Sequence, residues 1–336
     1  MLNRRQFLLR SSAGVGALAL AGPLGALTAC GSDTQAAGGA GALTQLRMQS
    51  AWVSDAEFMG YYIALDKGYY REAGLDYTYL PGGPDIIPET TLLAGQAEVA
   101  LTTVEGVAKL VAEEGAKLKI IGAQYQKNPA GVVSLKANGI TEPNDLVGRT
   151  LAISPVGQIT FEALFAANGV DVNQVRIVPY AYDPTPLLKG EIDASGDFVT
   201  NVPFTIREAG GDPTSFLLYD YGLKLFNDAV VVQEDYLNEN REQFVAFLRA
   251  SRRGWEENFA DTTAYIPLLK SGFGKDTGRT AANEEYFNDA QKALIEHPAG
   301  VYAMTDEDID ANLETLRRFG IQVDRSLFDT TLLQEV

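Results

Sequence analysis

Short apolar runs alternate with amphipathic segments along this chain, and the pattern occurs twice, which restricts the fold to α/β architectures. Residues 43–49 predict a first strand, 58–67 a helix carrying Phe58, Tyr61, Tyr62 and Leu65, and 75–80 a second strand, together a β-α-β unit. Pro81-Gly82-Gly83-Pro84 makes a turn. A helix over 86–94, a strand over 99–102, a helix over 104–114 and a strand over 118–124 follow. A similar set starts after 131–135 and holds strands at 150–154, 175–179 and 194–199, a helix at 160–168 and a short element at 187–190. The repetition predicts two similar lobes with largely parallel sheets. Asp228 to Gln233 is an apolar strand able to return the chain to the first lobe, and mainly helices come after it, over 234–238, 241–259, 264–269, 282–296 and 306–319.

Ahead of these elements, Arg4, Arg5 and Arg10 make a basic, twin-arginine-like start to an apolar stretch over 13–27, too short and glycine-rich for a good membrane span. It ends at Leu27-Thr28-Ala29-Cys30, where small residues admit a signal peptidase and the thiol can take a diacylglyceryl group. Residues 1–29 are therefore expected to be a cleaved signal peptide, Cys30 the lipidation site, and the Gly/Ala-rich run over 30–43 a flexible tether on the outer face of a membrane. Export by the twin-arginine or the general route stays open.

Composition excludes several classes of chemistry. The chain has one cysteine and one histidine. Disulfides, thiolate catalysis, the usual triads and zinc sites all lack their residues, and no metal site is expected. His297, in Ile-Glu-His-Pro-Ala-Gly, is expected to cap a helix end or lie at the surface. There is no phosphate-binding G-x-x-x-x-G-K-[ST] loop, and Gly82-Gly83 is not a dinucleotide fingerprint. The formal charge is −17, and loss of the leader arginines makes it more negative. Nucleic acid and anionic lipid are poor partners for such a surface.

The segment from Trp52 through Asp55, Phe58, Gly60, Tyr61, Tyr62, Lys67, Gly68 and Glu72 to Asp76 resembles the opening of ABC-transporter substrate-binding proteins of the thiamine-pyrimidine and sulfonate-binding group. The resemblance continues through Leu80-Pro81-Gly82-Gly83-Pro84, Leu93-Ala94-Gly95-Gln96-Ala97-Glu98 and the run from Gly139 to Thr150. It implies a type II periplasmic-binding fold: two α/β lobes, 44–136 plus 227–336 and 137–226, joined by two crossing segments that close on a ligand like a hinge. It also implies a monomeric, non-enzymatic protein that hands a small aromatic ligand to ABC permease subunits. Members that handle the thiamine pyrimidine commonly read W-x-P-N-x-N-H-x-G here, whereas this chain has Asp55 for the first asparagine and Phe58 for the histidine. That departure counts against a pyrimidine precursor as ligand, and the missing histidine and cysteine cluster count against the pyrimidine synthase of the group. The resemblance is strongest to riboflavin-binding members, which makes riboflavin the expected transported ligand. A pyrimidine precursor or another small aromatic nutrient is the alternative. A carboxylate enzyme on the same fold and a sensory lipoprotein are the competing classes.

Ligands of open α/β sheets sit beyond the carboxyl ends of strands, and this places the expected contacts. In lobe one they are Trp52, Asp55, Phe58 and Tyr62 after the first strand, Glu89 at a helix start, and Thr103 and Glu105 after the third strand. Phe58 beside Trp52 and Tyr62 would suit a wide, flat ring. In lobe two they are Gln158 and Thr160, where a loop enters a helix with free N–H groups, then Tyr182, Asp183 and Asn201. Asp183 before Pro184 and Asn201 near Pro203 also fit plain turn roles. Gly60, Gly68, Gly74 and Gly95 read as turn and close-packing positions rather than contacts.

Overall fold

A computed structural model describes residues 42–336 apart from Pro84, Pro155, Val156 and Ala181. The expected signal peptide and Cys30 lie outside the described residues. Ten strands form two five-stranded sheets. The first has β1 (Thr44–Gln49), β2 (Leu75–Leu80), β3 (Val99–Thr102), β4 (Leu118–Tyr125) and β10 (Asn227–Gln233), in the order β2-β1-β3-β10-β4. The second has β5 (Ala130–Leu135), β6 (Thr150–Ile153), β7 (Arg176–Pro179), β8 (Ala194–Phe198) and β9 (Pro213–Leu217), in the order β7-β6-β8-β5-β9.

The two orders are equivalent, and each sheet carries one antiparallel strand in its fourth place. β10 runs against β3 and β4, and β5 runs against β8 and β9. The sheets are largely parallel, as expected, apart from this one reversed strand in each. A strand that follows directly from the other lobe enters from the carboxyl-end side of the sheet, so it runs opposite to strands built by β-α-β crossovers. The same exchange moves the expected lobe boundary. β5 pairs only within the second sheet, so the first crossing lies over 126–129 rather than at 137. The return crossing lies over 218–226. The alternation did not disclose β9, a short strand opened by Pro213, or the short helices Tyr69–Glu72 and Val202–Glu208.

Packing concentrates on lobe one. Helix Met59–Asp66 crosses helix Arg241–Ala260 with glycines at the contact: a Cβ on Gly254 would lie 2.0 Å from the Gly60 carbonyl oxygen. Around this crossing Tyr70 stacks on Tyr77 at 3.9 Å and Tyr61 on Phe247 at 6.2 Å, so the tyrosines of this stretch are mostly core. A second cluster joins Ala100 and Ile120 of the first sheet to Val132 and Leu151 of the second. A third, confined to lobe two, contains only Val133, Ala152, Tyr180, Leu187, Ile192 and Ile206 as buried members. Helix Asp306–Arg318 straps the return crossing: Asn312 accepts from the Phe226 N–H at 2.9 Å and Thr315 donates to the Lys224 carbonyl at 3.2 Å. Its acidic first turn behind the Thr305 cap and its Arg317–Arg318 end both suit the helix dipole. No described helix is long and apolar enough to cross a membrane.

Candidate functional site

The carboxyl ends of the two sheets face each other across the crossings, and the loops there meet at two places. Trp52, after β1, sets its ring 5.5 Å from that of Tyr182, after β7, in an edge-on contact between lobes. Helix Ala281–Ile295 meets helix Val202–Glu208: Tyr286 lies 5.2 Å from Phe204 and Asn283 donates to Thr205 at 3.3 Å.

Trp52 is held from behind. The Gly82 N–H donates to the Trp52 carbonyl at 2.9 Å, and a Cβ on Gly82 would fall 2.3 Å from the Ser50 carbonyl oxygen, so only glycine lets the loop after β2 lie so close. Tyr182 is half exposed and has φ of +58°, an unusual conformation for a bulky residue and therefore one held by its surroundings. Tyr180 continues the aromatic series, 5.6 Å from Tyr182.

Other expected contacts are used internally. Phe58 and Tyr62 are fully buried. Tyr62 stacks on Phe273 at 4.2 Å, and Phe58 leans on Tyr79 at 5.8 Å, so the flat-ring platform expected from Phe58 and Tyr62 belongs to the core. Amphipathic spacing alone does not tell which aromatic of such a stripe turns outward. Asp55 is buried, caps Glu57 N–H at 3.0 Å and pairs with Arg279 at 3.0 Å. The Thr103 hydroxyl caps the helix Val104–Glu114 through Gly106 N–H. Gln158 bonds Glu162 along its own helix. Asp183 accepts from Thr185 N–H at 2.9 Å, the turn role it also fits by sequence. His297 accepts from Ala299 N–H at 3.1 Å in a turn.

A smaller group lies at or just after the strand ends, and several of its buried polar atoms have no partner. Glu89 is buried and accepts from Thr102 at 2.6 Å. One oxygen of Glu105, the Asn201 side-chain oxygen and the Thr200 and Tyr180 hydroxyls have no hydrogen-bond partner. Thr160 sits half-buried in the first turn of its helix. In lobe two Asp197 accepts from Ser195 at 2.5 Å, and burial pushes its carboxyl up to about 7. Sequence reading did not single out Tyr180 and Ser195; the one signal was a carboxylate at Asp197 inside an otherwise small or apolar strand.

Beneath the Trp52 loop lies a buried polar network that the sequence did not disclose. Gln124, near the end of β4, donates to the Glu57 carbonyl at 2.8 Å and to Asp228 at 2.9 Å. Asp228, at the start of β10, has φ of +47°. Glu284 accepts from Ala56 N–H at 2.9 Å, and Gln291 donates to the Ala56 carbonyl at 2.6 Å. Glu284, Asn288 and Gln291 thus make a buried polar stripe on one helix face. Burial holds Glu57 and Asp228 above the ordinary carboxylate range, and raises Glu284 to about 7. The network ties the loop that carries Trp52 to both crossings. Among the described residues no group of three or more potential ligands could hold a metal ion.

Two surface depressions, about 350 and 230 Å3, share no residue with these loops; they lie by Phe259 and His297 and by Arg252 and Met304. Neither gathers the groups that converge on the cleft, and the strand-end loops remain the candidate site.

Comparison with known proteins agrees with this architecture. The riboflavin-binding protein RibY of Chloroflexus aurantiacus is 24% identical over 65% of this chain and 64% of its own length. The formylaminopyrimidine-binding protein of Halalkalibacterium halodurans is 25% identical over 64% of this chain and 66% of its own. The matched region thus spans just under two thirds of these relatives. The periplasmic aliphatic sulphonate binding protein SsuA of Escherichia coli superposes with a TM-score of 0.65 at 15% identity, covering 82% of this chain and 92% of that one. The fold is the two-lobed periplasmic-binding one that the sequence led us to expect. Residues 55–264 match the family described as NMT1/THI5 like, and the chain belongs to that family.

Proposed function

We propose that this protein is the solute-binding component of an ABC-type importer, that it works on the outer face of a membrane, tethered through Cys30, and that its ligand is riboflavin. The observation that carries the reading is the pair of rings, Trp52 from one lobe and Tyr182 from the other, meeting at 5.5 Å. Two van der Waals layers around a flat ring need about 7–8 Å. The rings are closer than that, so a ligand enters only when the lobes part at the crossings, and closure then sandwiches it. Each aromatic contact adds about 0.5–1.5 kcal/mol beyond burial, and micromolar affinity needs about 8 kcal/mol in all. No covalent step is required. Similarity to a protein named for riboflavin binding supports the same ligand. Similarity to one named for formylaminopyrimidine binding supports a pyrimidine as the second reading.

Titration of the chain into riboflavin tests the proposal: quenched flavin emission at micromolar protein is expected, and unchanged emission sinks the flavin reading. Trp52→Ala should weaken binding at least about tenfold, the equivalent of about 1.4 kcal/mol. Unaltered affinity would remove Trp52 from the site.

A further inference from the structure

The loops after β1, β2, β3, β6, β7 and β8 contain no lysine or arginine, yet Asp55, Asp85, Glu89, Glu105 and Asp183 lie in or beside them and Asp197 lies near the end of β8. Nearby cations are engaged elsewhere. Arg279 pairs with Asp55 at 3.0 Å, Arg207 lies over the Tyr286 ring at 5.2 Å, and Lys127 over that of Tyr219 at 5.4 Å.

A helix N-terminus at a strand end commonly binds an anion. Here the one after β3 is filled by the protein's own acids. Glu105 stands in the first turn of helix Val104–Glu114, and a Glu89 oxygen lies 3.0 Å from where a Cβ on Gly106 would be. The unpartnered atoms at the cleft are the Glu105 carboxylate oxygen, the Asn201 side-chain oxygen and the hydroxyls of Thr200 and Tyr180, and both hydroxyl residues are over nine-tenths buried. These atoms are acceptors, or hydroxyls that can accept; an unpartnered Arg279 Nη1 lies beside Asp55, on a guanidinium whose charge that carboxylate offsets.

We propose that the cleft selects its ligand by charge: it takes an uncharged, donor-bearing aromatic ligand through Glu105, Tyr180, Asp197 and Thr200 and rejects the phosphate ester of the same compound. This rests on the cleft being the ligand site, as proposed above, and adds the discrimination. A phosphate brought beside Glu105 and Glu89 would lose its hydration without gaining a cation, and like charges juxtaposed in an interface disfavour binding. Hydroxyls, ring N–H groups and amines instead meet acceptors already buried and unsatisfied.

The test compares riboflavin with riboflavin 5′-phosphate on the full chain in detergent, by flavin and tryptophan fluorescence. The phosphate ester should bind about 100-fold more weakly or worse, a ratio that corresponds to two tenfold steps in affinity. Glu105→Gln or Glu89→Gln should narrow that ratio at least about fivefold, whatever happens to riboflavin affinity itself. Equal affinity for the two flavins, or a ratio unmoved in both variants, overturns the proposal. If neither flavin binds, the flavin reading falls alone, and 4-amino-5-hydroxymethyl-2-methylpyrimidine is compared with its phosphate. Preference for the neutral pyrimidine supports charge selection. Preference for the phosphate, or binding of neither, overturns it.

Discussion

Lobe one and lobe two have equivalent strand orders but very different cores. Lobe one surrounds its sheet with stacked aromatics, a glycine-mediated helix crossing and a buried polar network behind the Trp52 loop. Lobe two shares one apolar cluster with its neighbour and has a private one of six buried residues, while Ile159 and Tyr182 at its cleft loops stay 47% and 48% exposed. The same topology can therefore serve as a rigid platform or as a lighter closing half. The difference lies in what covers the sheet, since stability follows buried area and packing rather than strand order.

The sharpest way to break this comparison is at the crossing of helices Met59–Asp66 and Arg241–Ala260. Gly254→Ala puts a methyl into the Gly60 carbonyl and should cost about 3 kcal/mol or more in a urea melt. Gly157→Ala in lobe two, whose nearest neighbour would be Ser154 Oγ at 3.5 Å, should stay within about 0.5 kcal/mol. Similar losses at both sites would refute the contrast. Next in size, Leu187→Ala empties a position in the six-residue cluster and should cost about 2–3 kcal/mol. Hydrogen exchange should then speed up in β6–β8 while β1–β4 keep their protection; uniform acceleration would mean that the lobes unfold as one.

The buried acids give a smaller effect with a definite sign. Burial raises the carboxyls of Glu57, Asp228, Glu284 and Asp197 in the folded protein. Between pH 4 and 7 the folded chain then holds protons that the unfolded chain has released. Stability should accordingly fall as pH rises from about 4 through about 7, by on the order of a few kcal/mol for the group. Asp228→Asn should flatten that slope, and an unchanged slope in the variant would remove Asp228 from it. Smallest of all, Gln158→Ala removes only a solvent-exposed bond to Glu162, with an expected stability change within about 0.5 kcal/mol. A large loss of ligand binding in that variant would instead restore Gln158 to the site.

Local elements were largely legible before the structure. The strand over 75–80, the strand over 99–102 and the helix over 104–114 occur as read, because each has clear periodicity and a marked boundary such as Thr103 or Gly115. Side-chain direction was not legible. Phe58, Tyr62 and Trp52 belong to one aromatic stretch, yet only Trp52 reaches the other lobe, since the rings of the first two are taken by Phe273 and Tyr79 from distant parts of the chain.

By itself, then, the sequence determined an α/β chain of two repeated halves, the turns that place loops at strand ends, and the scarcity of histidine and cysteine. Those follow from residue type and spacing, which are local. Only the tertiary structure decided that β5 belongs to the second sheet, that Glu57, Gln124, Asp228, Glu284 and Gln291 meet beneath the Trp52 loop, and that Trp52 faces Tyr182. These pairings join residues far apart in the chain, and no local periodicity encodes which of many buried polar or aromatic side chains will share one low-dielectric space.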